Sequence, residues 1–411
     1  MSDGYAGLAA CVHCGFCLPA CPTYGATGDE ADGPRGRIVL MRGLAAGTLA
    51  PTDHAVTTHL DRCLGCRACE PVCPSGVRYG EALEAARADL DMVNGTPWIV
   101  RLVLFIMAAA PVRRLVLGLA RLLRPVAGWF AGWSRPAFAA GMLAGSRGLT
   151  PPRALRAHVA PVAPVAPAVA ALFLGCVQRE LFAQVHDASQ LTLSVNGFAA
   201  TAPERQTCCG ALHAHAGRHA EAQRLARANV RAFRDTAGPI VVNSAGCGAM
   251  LKDYGRLLAD EPLAQDARAV AARVRDITEV LADAGPVPGA HMPLRVAYDA
   301  PCHLQHAQGV TAPPLAVLAA IPGLELVPHA GADRCCGGAG VYGLVQPRLS
   351  RDVLQPKLRA LIAADVDVVT TGNPGCQMQI AAGLAAEGRA MPVCHPVELL
   401  AASYRLGGLH S

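Results

Sequence analysis

Two cysteine runs near the amino terminus constrain this chain more than any other feature. The first reads Cys11-Val-His-Cys14-Gly-Phe-Cys17-Leu-Pro-Ala-Cys21-Pro22, and the second Cys63-Leu-Gly-Cys66-Arg-Ala-Cys69-Glu-Pro-Val-Cys73-Pro74. Each has the spacing C-x2-C-x2-C-x3-C-P, the bacterial ferredoxin arrangement for a 4Fe–4S cluster. Three closely spaced thiolates wrap one face of a cubane, and the fourth reaches the other cluster. That rule assigns Cys11, Cys14, Cys17 and Cys73 to one cluster, and Cys63, Cys66, Cys69 and Cys21 to a second. The proline after each run cannot continue a helix ladder and turns the chain away. Disulfides would need an oxidising compartment, and no secretory signal precedes Cys11. Zinc sites ordinarily use two C-x2-C pairs, not two runs of four.

The chain has 411 residues, enough for two or three domains. Its net charge of +5 is too mild to argue for nucleic acid, and no aromatic-studded basic patch is visible. Seventeen cysteines without a secretory signal predict metal and redox chemistry in a reducing cytoplasm. No run approaches the ~18 apolar residues needed to span a bilayer. The longest, Leu102 to Val112, is bounded by Arg101 and Arg113.

Residues 1–95 are expected to form a helical ferredoxin domain. The segment between the runs holds a helix opening after Gly36 with Ile38-Val-Leu-Met, and another over Pro51 to Leu60 capped by Thr52 or Asp53. Tyr79 to Met92 predicts a third. Arg35, Arg37 and Arg62 sit near the cysteines and read chiefly as solvated surface residues, with hydrogen bonding to the clusters as the alternative. Residues 96–150 interleave leucines with Arg113, Arg114, Arg121 and Arg124, and carry Trp98, Trp129, Phe130 and Trp133. This basic amphipathic pattern fits a helical hairpin packed on its own protein or a partner. The competing reading is a helix lying on a membrane surface. Residues 151–168, rich in Pro and Ala, predict an extended linker.

Residues 169–411 contain an internal repeat. Cys176, Cys208-Cys209-Gly210 and Cys247 recur as Cys302, Cys335-Cys336-Gly337 and Cys376, at offsets of 126, 127 and 129 residues. This places one module at 169–290 and a second at 291–411. Each alternates apolar β-branched runs with Ala-rich helical stretches, which predicts a parallel sheet with covering helices. Cysteines at the carboxyl ends of such strands converge on one sheet edge. Cys176, Cys208, Cys209 and Cys247 therefore form one candidate thiol cluster, and Cys302, Cys335, Cys336 and Cys376 the other. Adjacent cysteines rarely bond to each other, because the geometry is strained. Paired thiolates facing a cavity suit a further iron–sulfur or metal centre, against the alternative of buried, inert thiols. The fold class is thus α+β multidomain: a mostly helical two-cluster ferredoxin domain followed by duplicated α/β modules.

Weaker marks also appear. Gly338-x-Gly340-x-x-Gly343 follows the CCG turn instead of a strand, and reads as backbone freedom beside the thiols, not as a dinucleotide fingerprint. His213, His215, His303 and His306 flank the cysteines and read first as packing residues. Cys394 falls outside the repeat. His395 aligns with Asp276 as a helix start. No flavin or nicotinamide fold and no P-loop is found, so the residues predict an electron carrier whose flavin sits on another polypeptide.

Two ferredoxin runs followed by two CCG modules resemble the glycolate oxidase iron–sulfur subunits. The likeness extends to Gly33-Pro-Arg-Gly-Arg-Ile, Cys73-Pro-Ser-Gly-Val-Arg-Tyr-Gly and His395-Pro-Val-Glu-Leu-Leu. The resemblance implies a complex with an FAD-binding catalytic subunit and a second FAD-domain subunit. Such a complex oxidises glycolate to glyoxylate and passes electrons to the respiratory chain, at the cytoplasmic face of the inner membrane. The CCG modules resemble those of heterodisulfide reductase, whose motif ends in C-x2-C. Here Cys247 and Cys376 lack that last ligand. The architecture is shared by the iron–sulfur component of anaerobic glycerol-3-phosphate dehydrogenase and by lactate-utilisation proteins. A thiol–disulfide enzyme and a scaffold with structural clusters are the readings from other classes.

Overall fold

Helices wrapped around two cysteine loops make up the amino-terminal part. The computed structural model describes residues 3–149, 158–159 and 168–409. Helices α1 (Pro22–Thr27), α2 (Pro34–Ala45), α3 (His54–Asp61) and α4 (Tyr79–Asn94) follow the cysteine runs or connect them. Pro22 and Pro34 open their helices, where a missing N–H costs nothing. Helix α2 therefore begins a turn before the expected start. Gly36 in that first turn is required by contact: a Cβ there would lie 2.3 Å from the Glu30 carbonyl oxygen. The helices close on Leu8, Ile38, Met41, Val56, Leu60 and Leu83. No strand occurs in this part among the described residues, as expected of a helical ferredoxin.

Helices α5 (Trp98–Ala108) and α6 (Ala110–Ala127) meet at Ala109, and α7 (Arg135–Gly145) follows. They lie on the carboxyl-terminal half of their own chain. Helix α6 crosses the helix Val177–Leu181, and α7 runs along the helix Pro374–Ala386. Two arginines that read as part of a basic face turn inward. Arg113 Nη1 donates to the Met107 carbonyl at 2.6 Å, and Arg124 donates to the Leu181 carbonyl. The outward side keeps Leu102, Phe105, Leu115, Leu119, Leu122, Trp129 and Phe130 exposed. Among the described residues no single helix is long and apolar enough to cross a membrane. The Pro/Ala linker lies mostly outside the described residues.

Among the described residues, nine short strands make two sheets. The first contains β1 (His158–Val159), β2 (Ala168–Phe173), β3 (Phe198–Thr201), β4 (Ile240–Val242) and β5 (Val274–Asp276), in the order β1-β3-β2-β4-β5. The second contains β6 (Arg295–Tyr298), β7 (Glu325–Leu326), β8 (Val368–Thr370) and β9 (Val393–Cys394), in the order β7-β6-β8-β9. Of these, only β1 pairs antiparallel. Without it, the two sheets share one topology, so the sequence repeat is a structural duplication. The central strands β4 and β8 are buried throughout, as parallel strands covered on both faces are.

The modules are interleaved. The helix Ala183–Val195 of the first packs on Pro396–Leu406, which closes the second; Ala312–Ala319 of the second packs on Ile277–Ala284, which closes the first. A single core containing Leu172, Val185, Leu281, Val296, Leu318 and Leu400 results. Both closing helices carry a capping box: Asp276 with Glu279, and His395 with Glu398. The alignment of His395 with Asp276 thus reflects one structural role. Cys394 is a buried core residue on β9.

Candidate iron–sulfur and thiol site

The two cysteine loops follow one backbone path. His13 and Gly15 in the first, and Gly65 and Arg67 in the second, adopt left-handed conformations at φ 57°, 87°, 64° and 61°. These reversals point successive thiols to one side. Cys11, Cys14, Cys17 and Cys73 line one cavity, and Cys21, Cys63, Cys66 and Cys69 line another, with Cys69 also on the wall of the first. Each cavity therefore gathers three cysteines of one run and the last of the other. The first set lies toward solvent, with Cys14 exposed; all four of the second are buried. Burial pushes the Cys69 thiol well up, and its neighbours Cys66, Cys63 and Cys21 add to this. Four crowded, desolvated thiols are the donor set a cationic iron centre suits.

Arg37 corrects the expectation that the nearby arginines are solvated. It is 1% exposed and lines the second cavity with Cys21, Cys63, Cys66 and Cys69. Its Nε donates to the His59 carbonyl at 2.6 Å and its Nη1 to Thr23 Oγ1 at 3.0 Å; its Nη2 has no hydrogen-bond partner. Fully buried Asp32 holds it in place from 3.6 Å and also accepts from Arg62 and pairs with His59. Asp29, Asp32 and His59 converge closely, but these ion pairs account for Asp32. Arg35, partly exposed and paired with Glu30, lines the first cavity. Arg62 is partly exposed and bound to Asp32.

The repeat cysteines stand at the carboxyl ends of parallel strands, as the α/β pattern required. Cys176 follows β2, Cys247 follows β4, Cys302 follows β6 and Cys376 follows β8. The CCG pairs occupy loops after β3 and β7. Their third residues, Gly210 and Gly337, have φ of 92° and 79°, and a Cβ on Gly337 would meet the Ser350 carbonyl at 2.5 Å. Both quartets open onto one shared cavity of about 330 Å³. The sequence predicted two separate thiol clusters; the interleaved modules turn both sheet edges toward each other instead. Val103, Met107, Leu117 and Met142, from α5 to α7, cover this cavity. Cys176 and Cys208 sulfurs are 3.4 Å apart, and Cys302 and Cys335 sulfurs 4.0 Å. Hydrogen bonds from neighbouring thiols pull Cys208 and Cys336 well below the ordinary thiol range despite burial, while Cys176, Cys209, Cys335 and Cys376 are pushed up. A buried Lys357, paired with Asp299, adds to the effect at Cys336.

The ferredoxin part and the second module meet in a buried cluster that contains cysteines of both. Cys66 and Cys335 pack in this cluster, and the neighbouring Cys335 thiol lowers the Cys66 thiol against its burial. Leu64 and Ala68 pack with Cys302, Cys335 and Tyr342 around this contact, and the Tyr342 hydroxyl donates to the Arg62 carbonyl at 2.8 Å. Nothing in the spacing of the cysteines foretold it. His303 also lines the shared cavity; burial pulls its pKa down to about 3, and its ring lies 5.3 Å from that of His215. His306 meets the Asp333 carbonyl. The Gly338–Gly343 loop follows the CCG turn without a strand, and a Cβ on Gly338 would touch Cys336 Sγ at 3.4 Å.

Helical cysteine loops joined to duplicated cysteine-rich modules define an iron–sulfur protein of the dicluster-ferredoxin class. Residues 7–77 match the 4Fe–4S dicluster domain, and residues 170–252 and 296–381 match the cysteine-rich domain. The chain is 34% identical to the probable glycolate oxidase iron–sulfur subunit of Bacillus subtilis, covering 93% of this chain and 90% of that one. It is 32% identical to the glycolate oxidase iron–sulfur subunit of Escherichia coli, over 91% and 90% of the two chains. A lactate utilization protein A from Exiguobacterium is 30% identical over 56% of this chain and 96% of its own length. The chain belongs to the family of glycolate oxidase iron–sulfur subunits.

Proposed function

We propose that the chain is the electron-transfer subunit of a complex that oxidises glycolate to glyoxylate. An FAD-binding catalytic subunit takes the hydride equivalent from glycolate, and the assembly includes a second FAD-domain subunit. The acceptor is a respiratory one of the quinone kind, with the complex held at the cytoplasmic face of the inner membrane. What supports the reading is the continuity of thiols: an exposed set, a buried set, and the Cys66–Cys335 contact leading to the shared cavity.

In this reading Cys11, Cys14, Cys17 and Cys73 hold one 4Fe–4S cluster, and Cys21, Cys63, Cys66 and Cys69 the other. Such clusters, when bound, supply one-electron storage between a two-electron flavin and its acceptor. The chain's own residues do the rest. Met41, Leu60 and Leu83 keep water from the buried set. Arg37 balances negative charge beside it. Leu64 and Ala68 seat it against the second module. The quartets of the repeat would supply thiols to any further iron–sulfur or metal centre, with Met250 and Gln379 standing where the longer motif has its last cysteine. A thiol–disulfide enzyme is the second reading, favoured by the close approach of the Cys176 and Cys208 sulfurs at 3.4 Å.

Iron and acid-labile sulfide analysis of anaerobically purified protein should give at least about eight irons per chain, the content of two cubanes. Cys66→Ser should abolish acceptor reduction while leaving flavin reduction by glycolate intact. Surviving turnover to the native acceptor in that variant would end the electron-transfer reading. Turnover of a small disulfide by the isolated chain would favour the second.

A further inference from the structure

The two cysteine loops are equivalent in backbone, yet their outer faces meet different fates. In the second loop, the residues after the first and before the third cysteine are Leu64 and Ala68, 6% and 7% exposed. They are buried because the second module sits on them, with Cys335 against Cys66. The same positions in the first loop are Val12 and Phe16, 70% and 68% exposed. Between them Cys14, the counterpart of Cys66, is itself exposed. A formed interface in one copy therefore corresponds to an open apolar face in the other.

We infer that the Val12–Phe16 face is the docking surface for the flavoprotein subunit that donates electrons, resting on the function proposed above. The two faces of the ferredoxin part are then its entry and its exit. An exit contact is already built into the chain; the entry contact is supplied by another polypeptide.

The face is held ready. Arg42 bonds to His13 Nε2 at 2.7 Å and to the carbonyls of Leu8 and Cys11 at 2.7 and 3.1 Å, and Arg35 Nη1 donates to the His13 carbonyl at 3.2 Å. These bonds fix the left-handed turn at His13, so the loop presents its apolar side chains without needing a partner to order it. Pre-ordering of this kind lowers the cost of association. Apart from thiols, the ionisable side chains lining the cavity behind it are His13, Arg35 and Tyr79, with no carboxylate. Arg35 is offset by its ion pair with the exposed Glu30, so the matching donor surface is an apolar patch with little net charge.

The test uses the full chain and the purified flavoprotein subunits of the same complex. Val12→Asp and Phe16→Asp, alone and together, are compared with Leu115→Asp and Leu122→Asp on the exposed side of α6. Iron content should be unchanged in all of them, because each side chain is largely exposed and none is a thiol ligand; Val12 and Phe16 also border the first cavity, so iron is measured first. Affinity for the flavoprotein should fall at least tenfold in the loop variants. Reduction of the clusters by glycolate-reduced flavoprotein should slow with it, while reduction by dithionite stays at the wild-type rate. Wild-type affinity in the double loop variant would overturn the docking face, as would loss of binding confined to the α6 variants. If the unaltered chain bound no flavoprotein, the function proposed above would fail instead. If the Asp variants lose iron, Phe16→Ser and Val12→Ser provide the same comparison.

Discussion

Arg37 shows how a single residue can matter beyond its place in a motif. Its guanidinium is buried beside four thiols and ion-paired with Asp32, with one nitrogen making no hydrogen bond, so its charge acts through little water. A fixed cation there favours the more negative state of whatever those thiols hold. Arg37→Gln should lower the midpoint potential of the buried cluster by up to roughly 90 mV, the equivalent of about 2 kcal/mol for a hydrogen bond to a charged group. Arg37→Lys should recover part of that, and Arg35→Gln should change little because Arg35 is partly solvated and already paired. Redox titration followed by paramagnetic resonance checks all three. The cysteines at this scale were legible because ligation demands fixed spacing. Arg37 was not, since nothing local distinguishes it from Arg35, two residues away. Only the packing of α2 against α3 and α4 decides which of them turns inward.

At the scale of elements, the alternation of apolar runs and Ala-rich stretches announced both sheets, because parallel strands buried on two faces leave an unmistakable pattern. The helices α5 to α7 were harder. Their leucines and arginines fit a protein surface first and a membrane surface second, and the way they pack lies in partners distant in sequence. What seats α7 on its own chain is smallness. Gly141 and Gly145 on α7 face Ala382 and Ala381, and a Cβ on Gly145 would lie 2.4 Å from the Ala381 Cβ. The helices approach so closely that no larger residue fits without movement. Gly145→Val should therefore destabilise the docking of α7 by about 1–3 kcal/mol, the usual cost of overpacking. A lower melting temperature, with faster hydrogen exchange confined to α7 and the facing helix, is the expected signature. An exposed neighbour such as Phe130→Ser should leave both unchanged.

Across the whole molecule, the ferredoxin part is clamped to the first module by charge as well as to the second by apolar contact. Glu84 on α4 pairs with His215 at 3.4 Å and with Arg256 at 2.8 Å. Burial opposes its ionisation, but the hydrogen bond from His215 and the attraction of Arg256 win, holding its pKa at about 2 against an ordinary 4.5. A depressed carboxylate stabilises the folded state above the unfolded pKa and loses that contribution as pH falls through the folded one. The clamp is thus complete above about pH 5 and released between 4.5 and 2. It should contribute on the order of 2 kcal/mol at neutral pH. Glu84→Gln should lower stability at pH 7 and flatten its dependence on acid over that interval, as denaturant titrations at a series of pH values would show. No sequence pattern pairs Glu84 with Arg256, because their meeting depends on how two domains settle together.

The crossed closing helices carry a consequence for how such a chain can be divided. Each module is sealed by the other's terminal segment, so cutting between them strips both of a wall at once. Either fragment made alone should be sticky and short-lived, whereas the two co-produced should reassemble. Inheritance of this half of the protein is therefore all or nothing: its paired lobes travel as one indivisible unit.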